Sequence, residues 1–244
     1  EQAGEEVTRF KEGDEIFAYC RKPMVQGGAY AEYIVLEEEH AAIKPKNISF
    51  EEAASIPLAA LTAYQSLFDA AKLNPGETIL IHAAAGGVGG FGVQLARDHG
   101  AVVWGTASGR NAEYVQDLGA TRVVDYNQVD FCDSVRSEYP DGVDVVFDCV
   151  CGDVLARSAE VVKQGGRLIS IVDDPTGLAR SDIHKEFVFV APNSAQLTEL
   201  AGMVEQGRLK THLSQVLPFG LEEAKKAHEL SESMSTRGKM VLVL

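Results

Sequence analysis

Apolar and polar positions follow two different periods along this chain. From Thr78 a β-branched run, Ile79-Leu80-Ile81, leads into a stretch of Ala and Gly, after which Val88, Phe91, Leu95 and Ala96 recur at helical spacing as far as Gly100. That order predicts a buried strand, a tight turn and a helix. Apolar runs return at Val102–Thr106, Arg122–Tyr126, Val143–Phe147, Arg167–Val172 and Phe187–Val190. Helical patterns at Ala112–Leu118 and Val154–Val162 lie between them, closed by Gly119 and by Gly165-Gly166. Strands alternating with helices predict an α/β fold with a doubly wound, six-stranded parallel sheet, whose ligand lies beyond the carboxyl ends of the strands. The loops at Ala84–Gly89, Ser108, Tyr126, Cys149 and Val172 then share one rim.

The flanks are patterned differently. Asp14–Tyr19 and Gly28–Val35 read as short strands bounded by Gly and charged turns, as in an antiparallel barrel. Ser49 with Glu52 forms a capping box for a short helix, and Pro57–Phe68 reads as a mainly apolar helix entering the sheet region. Beyond Pro192 come helical patterns at Ala195–Gln206 and Leu221–Leu230 and a closing strand, Lys239–Leu244. The expected division is one domain from 1–57 with 192–244, and a second, carrying the sheet, from 58–191.

The turn after the first sheet strand carries the chemistry. Ala84-x-Gly86-x-x-Gly89 matches the dinucleotide fingerprint with Ala for its first Gly. With side chains nearly absent here, Gly87 and Val88 included, a pyrophosphate can reach the backbone N–H groups at the positive end of a helix. The alternative is that small residues serve only close packing of strand and helix. A carboxylate that would hold a ribose 2′-hydroxyl is missing after the second strand, where Ala107-Ser108-Gly109-Arg110 follows Thr106. Ser108 can donate to a 2′-phosphate and Arg110 can pair with it, which favours NADPH over NADH. Otherwise Arg110 is a solvated charge at a helix start.

Composition narrows the classes. The chain has 244 residues, 45% hydrophobic and 24% charged, with a formal net charge of −14. It can bury a full core, and its acidity, with no local basic cluster, argues against nucleic acid or anionic lipid as partners. No apolar stretch approaches the roughly 20 residues that span a bilayer, and Glu1-Gln2-Ala3-Gly4-Glu5-Glu6 lacks the order of a signal peptide, so a cytoplasmic location is expected. Cysteines at 20, 132, 149 and 151 form neither a disulfide framework nor a zinc lobe. Cys149-x-Cys151 is either a redox or metal pair or two small thiols near a strand end. The six histidines form no ligand cluster, so no metal site is expected.

Several segments occur in the order of a known family: Val7–Glu15, Gly28–Tyr33, Leu61-Thr62-Ala63-Tyr64, His82–Gly89, Val124-Asp125-Tyr126 and Thr236-Arg237-Gly238-Lys239. Over essentially its whole length the chain resembles the medium-chain dehydrogenase/reductase superfamily, in its zinc-independent quinone oxidoreductase branch. The resemblance implies a Rossmann domain beside the remainder of a GroES-like β-barrel catalytic domain. Zinc-dependent members insert a four-cysteine lobe where this chain has Cys20 alone, and carry a Cys ligand where it has Leu58. The implied reaction is therefore zinc-independent hydride transfer from NADPH to a small-molecule electron acceptor, a quinone or an activated alkene. Thr62 is the candidate for a contact near the nicotinamide, or else an internal helix hydroxyl. Tyr126 would flank the adenosine 2′-phosphate with Ser108 and Arg110, or else pack on the sheet as a rim tyrosine. Arg237 and Lys239 would reach the cofactor phosphates, or else be exposed cations, and Val172 belongs to the rim. No general acid is assigned. A homodimer through the Phe187–Val190 edge strand is implied. Members of the family carry barrel strands and part of the substrate pocket ahead of the point matching Glu1, so the catalytic domain is expected to be N-terminally incomplete. An enoyl reductase acting on thioesters and a non-catalytic NADPH-binding sensor or adaptor are the competing functional readings.

Overall fold

The computed structural model describes residues 1–22, 27–233 and 236–244. β1 (Ile16–Ala18) pairs antiparallel with β2 (Ala41–Ile43). α1 (Phe50–Ala54) starts at Ser49, whose hydroxyl accepts the Glu52 N–H at 3.2 Å while the Glu52 carboxylate accepts the Ser49 N–H at 2.9 Å. This is the reciprocal cap expected from the sequence. α2 (Pro57–Tyr64) is shorter than the predicted helix. It passes into a π-helical turn, Gln65–Ala70, in which the Ala71 N–H reaches back five residues to the Ser66 carbonyl at 3.0 Å.

The next elements alternate: β3 (Thr78–Ile81), α3 (Gly87–Asp98), β4 (Val102–Ala107), α4 (Ala112–Asp117), β5 (Arg122–Asp125), α5 (Phe131–Glu138), β6 (Val143–Asp148), α6 (Gly152–Ser158), β7 (Val162–Ser170) and β8 (His184–Phe187). All six strands run parallel in the order β5-β4-β3-β6-β7-β8. The order reverses between β3 and β6, the switch point beside which such sheets bind ligands. Register aligns Leu80 with Trp104 and Val146, and Val146 with Leu168. These four pack with Phe131, Val135 and Leu155 in one buried layer. On the opposite face Gly92 of α3 lies against Phe147 and Ile81. Apolar runs without alternation are what such two-sided burial requires.

After the sheet come α7 (Ser194–Glu205), β9 (Leu213–Pro218), α8 (Leu221–Glu232) and β10 (Lys239–Val243), with β9 and β10 paired in parallel. The chain divides into two compact units, Thr62–Phe189 and the combination of Glu1–Leu61 with Val190–Leu244.

Three expectations need correction. Gly28–Val35 is irregular, not a strand: β1 takes its partner from Ala41–Ile43 instead, and Tyr33 and Val35 are exposed. The last sheet strand is His184–Phe187, not Phe187–Val190, because β7 registers Arg167 with His184 and Ser170 with Phe187. Its residues are largely charged, so the apolar edge strand expected at a dimer interface is absent from that position. Finally, α5 went unpredicted. Asp130 caps it through the Cys132 and Asp133 N–H groups at 2.8 and 3.2 Å, and Phe131 with Val135 supplies its buried face.

Candidate functional site

The turn between β3 and α3 is bound to both neighbouring strands. The His82 N–H donates to the Phe147 carbonyl at 3.0 Å and the Ala84 N–H to the Thr106 carbonyl at 3.0 Å. Ala83 sits between them at φ 50°, a left-handed conformation that a residue with a Cβ adopts at a cost, and its carbonyl accepts the Gly86 N–H at 2.8 Å. The small residues divide the work. A Cβ on Gly89 would stand 2.3 Å from the Ala83 oxygen, and one on Gly105 would stand 2.7 Å from the Ala84 Cβ, so these two glycines let helix and strands close up. Gly86, Gly87 and Val88 are only partly buried and form the mouth of the turn.

Ser49, Asp130 and Asn193 cap α1, α5 and α7 with side-chain oxygens, whereas α3, like α4, α6 and α8, has no side-chain cap; what sets α3 apart is its start at Gly86, in the glycine turn at the switch point of the sheet. First-turn N–H groups have no carbonyl one turn earlier to bind, so this end suits an external anion. A diphosphate group fits the residues present, both in the room left by the glycines and in the donors left by the helix.

Behind the turn lies a neutral histidine that the sequence reading passed over. His82 is fully buried, its ring edge-on to Phe131 with centroids 4.8 Å apart. Nε2 meets Ser158 Oγ at 2.9 Å and Nδ1 meets Thr106 Oγ1 at 3.1 Å. Ser158 donates its own proton to the Val154 carbonyl at 2.7 Å, so it accepts from His82, and the imidazole carries its hydrogen on Nε2. Nδ1 then accepts from the Thr106 hydroxyl. Burial drops the imidazole from its usual 6.5 to about 3. His82 thereby ties β3 to β4 and α6 with no charge.

The neighbouring rim is held in the same way. The Asp148 carboxylate, wholly buried at the end of β6, accepts from Ser170 Oγ at 2.8 Å and from the Val150 N–H at 3.1 Å. Burial raises its pKa against these hydrogen bonds. Ser170 in turn accepts the Val172 N–H at 3.3 Å, so one pair organises the loops carrying Cys149 and Val172. Burial pushes both Cys149 and Cys151 thiols up, with the neighbouring carboxylates adding to the effect, which keeps them protonated.

At the ends of β4 and β5, Ser108 Oγ accepts from the Asn111 side-chain amide at 3.2 Å, which leaves the hydroxyl proton able to donate outward. Arg110 is exposed, and Tyr126 is 58% exposed. The structure therefore gathers Ala84–Gly89, Ser108, Arg110, Tyr126 and Val172 along the carboxyl ends of one sheet. Thr62 belongs to the same unit but is 5% exposed within α2. Arg237 and Lys239 belong to the other unit, where the Lys239 N–H donates to the His212 carbonyl at 2.9 Å and burial lowers the Lys239 ammonium. Neither is an exposed cation, since both are partly buried.

A parallel sheet with this reversal and this glycine turn defines a dinucleotide-binding type of fold, and comparison with known proteins identifies the chain as an oxidoreductase and places it more closely. The profile of the zinc-binding dehydrogenase family matches residues 118–242. A probable zinc-binding oxidoreductase, mitochondrial, of Arthroderma benhamiae is 36% identical over 96% of this chain and 73% of its own length. An NADPH-dependent alkenal/one oxidoreductase, chloroplastic, of Arabidopsis thaliana is 34% identical over 99% of this chain and 60% of its own length. The solved quinone oxidoreductase of Coxiella burnetii superimposes with a TM-score of 0.90 at 32% identity, covering 99% of this chain and 75% of that one. The chain belongs to the zinc-binding dehydrogenase family, in the quinone oxidoreductase-like branch of the medium-chain dehydrogenase/reductase superfamily. That family is NAD(P)-dependent. Among the described residues no three His, Cys, Asp or Glu side chains form a metal-ligating group.

Proposed function

We propose that this chain is the coenzyme-binding part of an NADPH-dependent, zinc-independent reductase that delivers hydride to a quinone or an activated alkene. The observation that carries this reading is the glycine turn that starts α3 at Gly86, at the switch point of the sheet and on the same rim as Ser108 and Arg110. NADPH, when bound, supplies the hydride from its nicotinamide. The chain's own residues bind and orient: the Gly86–Gly89 amides take the diphosphate, and Ser108, Arg110 and Tyr126 surround the 2′-phosphate. The neutral His82 network holds the turn in place. The name of the Arabidopsis relative supports the phosphorylated coenzyme and an enone-type acceptor. Thr62 and Val172 complete the proposed cofactor contacts of this unit.

Binding tests the coenzyme and turnover tests the chemistry. Arg110→Ala should weaken NADPH by tenfold or more, the loss of a charge-assisted bond of about 1.5–3 kcal/mol, and leave NADH nearly unchanged. Equal loss for both coenzymes refutes the 2′-phosphate role. NADPH oxidation with a panel of quinones, enones and enoyl thioesters separates the quinone and alkene reading from a thioester reductase, and tight binding with no turnover by any acceptor identifies a sensor or adaptor. A homodimer and a cytoplasmic setting belong to the same proposal. Phe187 and Phe189, 37% and 66% exposed with ring centroids 6.5 Å apart, give the sheet edge an apolar pair to bury even though β8 itself is charged. Sedimentation equilibrium showing only monomer at micromolar concentration refutes the dimer.

A further inference from the structure

The sequence lacks a carboxylate after Thr106, and the fold supplies one from elsewhere. β4 and β5 register Ala107 with Asp125, and the Tyr126 N–H donates to the Ala107 carbonyl at 3.3 Å, so both strands end at the same level. Asp125 Oδ1 accepts from the Asn127 backbone N–H at 3.0 Å and from its side-chain amide at 3.2 Å. This turn fixes the carboxylate's orientation. Its other oxygen, Oδ2, packs on Gly109, where a Cβ would come within 2.6 Å of it. Gly109 lies between Ser108 and Arg110, the two residues expected to bind a 2′-phosphate. An acidic oxygen thus stands within the subsite that the sequence presents as free of acid.

Accepting the coenzyme reading proposed above, we infer that Asp125 is a specificity-determining residue that narrows the preference for NADPH over NADH. A carboxylate at this position repels the doubly charged 2′-phosphate and accepts a hydrogen bond from the 2′-hydroxyl of NADH. Ser108 and Arg110 act in the opposite sense. Coenzyme selectivity is the balance of the three, and Gly109 is the residue whose lack of a side chain lets the carboxylate approach.

Dissociation constants for NADPH and NADH, measured by nicotinamide fluorescence with no acceptor present, test this directly. Asp125→Asn keeps an oxygen for the Asn127 turn and removes the charge. It should tighten NADPH by roughly threefold to tenfold at low salt, with NADH unchanged or weaker. Gly109→Ala, whose Cβ displaces Oδ2, should shift the ratio in the same direction, and both effects should shrink as salt is raised. An unchanged or weaker NADPH affinity in folded Asp125→Asn, with a wild type that binds NADPH, overturns the inference and leaves the proposed function intact. A wild type that binds neither coenzyme overturns both.

Discussion

The two compact units are built from the same chain by different means. In Thr62–Phe189 the central strands are covered on both faces, and Trp104, Phe147, Leu80 and Leu168 are almost completely removed from solvent. In the other unit the strands pair only two by two, α8 buries none of its residues fully, and Tyr30, Tyr33, Val35, Phe50 and Leu221 are exposed. Polar contacts there do part of what burial does in the sheet: Tyr30 meets the His228 imidazole at 3.1 Å and lies edge-on to Phe219. The contrast teaches where substitutions should hurt. Packing sets stability across the sheet unit, while in the other unit it rests on fewer fully buried side chains, Ile56, Leu61, Leu197 and Leu200 among them.

Denaturant unfolding can break or sharpen that contrast, with Trp104, the chain's one tryptophan, reporting on the sheet. Phe147→Ala should have the largest effect, about 3–5 kcal/mol, because Phe147 is fully buried and the space it leaves is closed in by its neighbours. Gly89→Ala should cost about 3 kcal/mol, since its Cβ meets backbone that cannot move without opening the turn, and NADPH affinity should fall with it. pH gives the next effect. The unfolded His82 takes a proton near 6.5 while the folded one refuses it down to about 3, so the unfolded state binds more protons in between and stability falls as pH falls. Between pH 6.5 and 5 this should remove about 2 kcal/mol, and His82→Gln should flatten that slope. Ser49→Ala should cost about 1 kcal/mol by removing the cap of α1. Leu221→Ala, 72% exposed, should stay within about 0.5 kcal/mol, and a loss as large as that of Phe147→Ala would abolish the distinction between the units.

The same contrast explains what could be read from the sequence. Buried parallel strands impose unbroken apolar runs, so Ile79–Ile81, Val102–Thr106 and Val143–Phe147 were legible within a residue or so of their observed ends. The capping box at Ser49 was legible because its two hydrogen bonds are local. Gly28–Val35 misled because alternation and aromatic residues specify a strand only where a neighbour supplies the ladder. Phe187–Val190 misled for a related reason: the ladder from β7 is used up by His184–Phe187, whose charged side chains hide a strand from hydropathy. In the candidate site, Ala84, Gly86, Gly89, Ser108 and Arg110 could be singled out because motif and spacing are contiguous. His82, Asp148 and Asp125 could not be assigned roles, since the contacts that give them one, to Thr106 and Ser158, to Ser170 and to Gly109, lie outside their own loops. For α5, Asp130 followed by Phe131 and Val135 was a usable signal, a cap before helically spaced apolar residues.

The pairing of Ala107 with Asp125 separates two kinds of change in this chain. Exchanging a side chain at either tip leaves the aligned strands where they are. Shifting β5 by a single position does not, because it turns every one of its side chains to the opposite face and carries Asp125 away from Gly109. On the proposed reading, redesigning which coenzyme is accepted is thus a matter of choosing residues at two adjacent tips while keeping the register of β4 and β5.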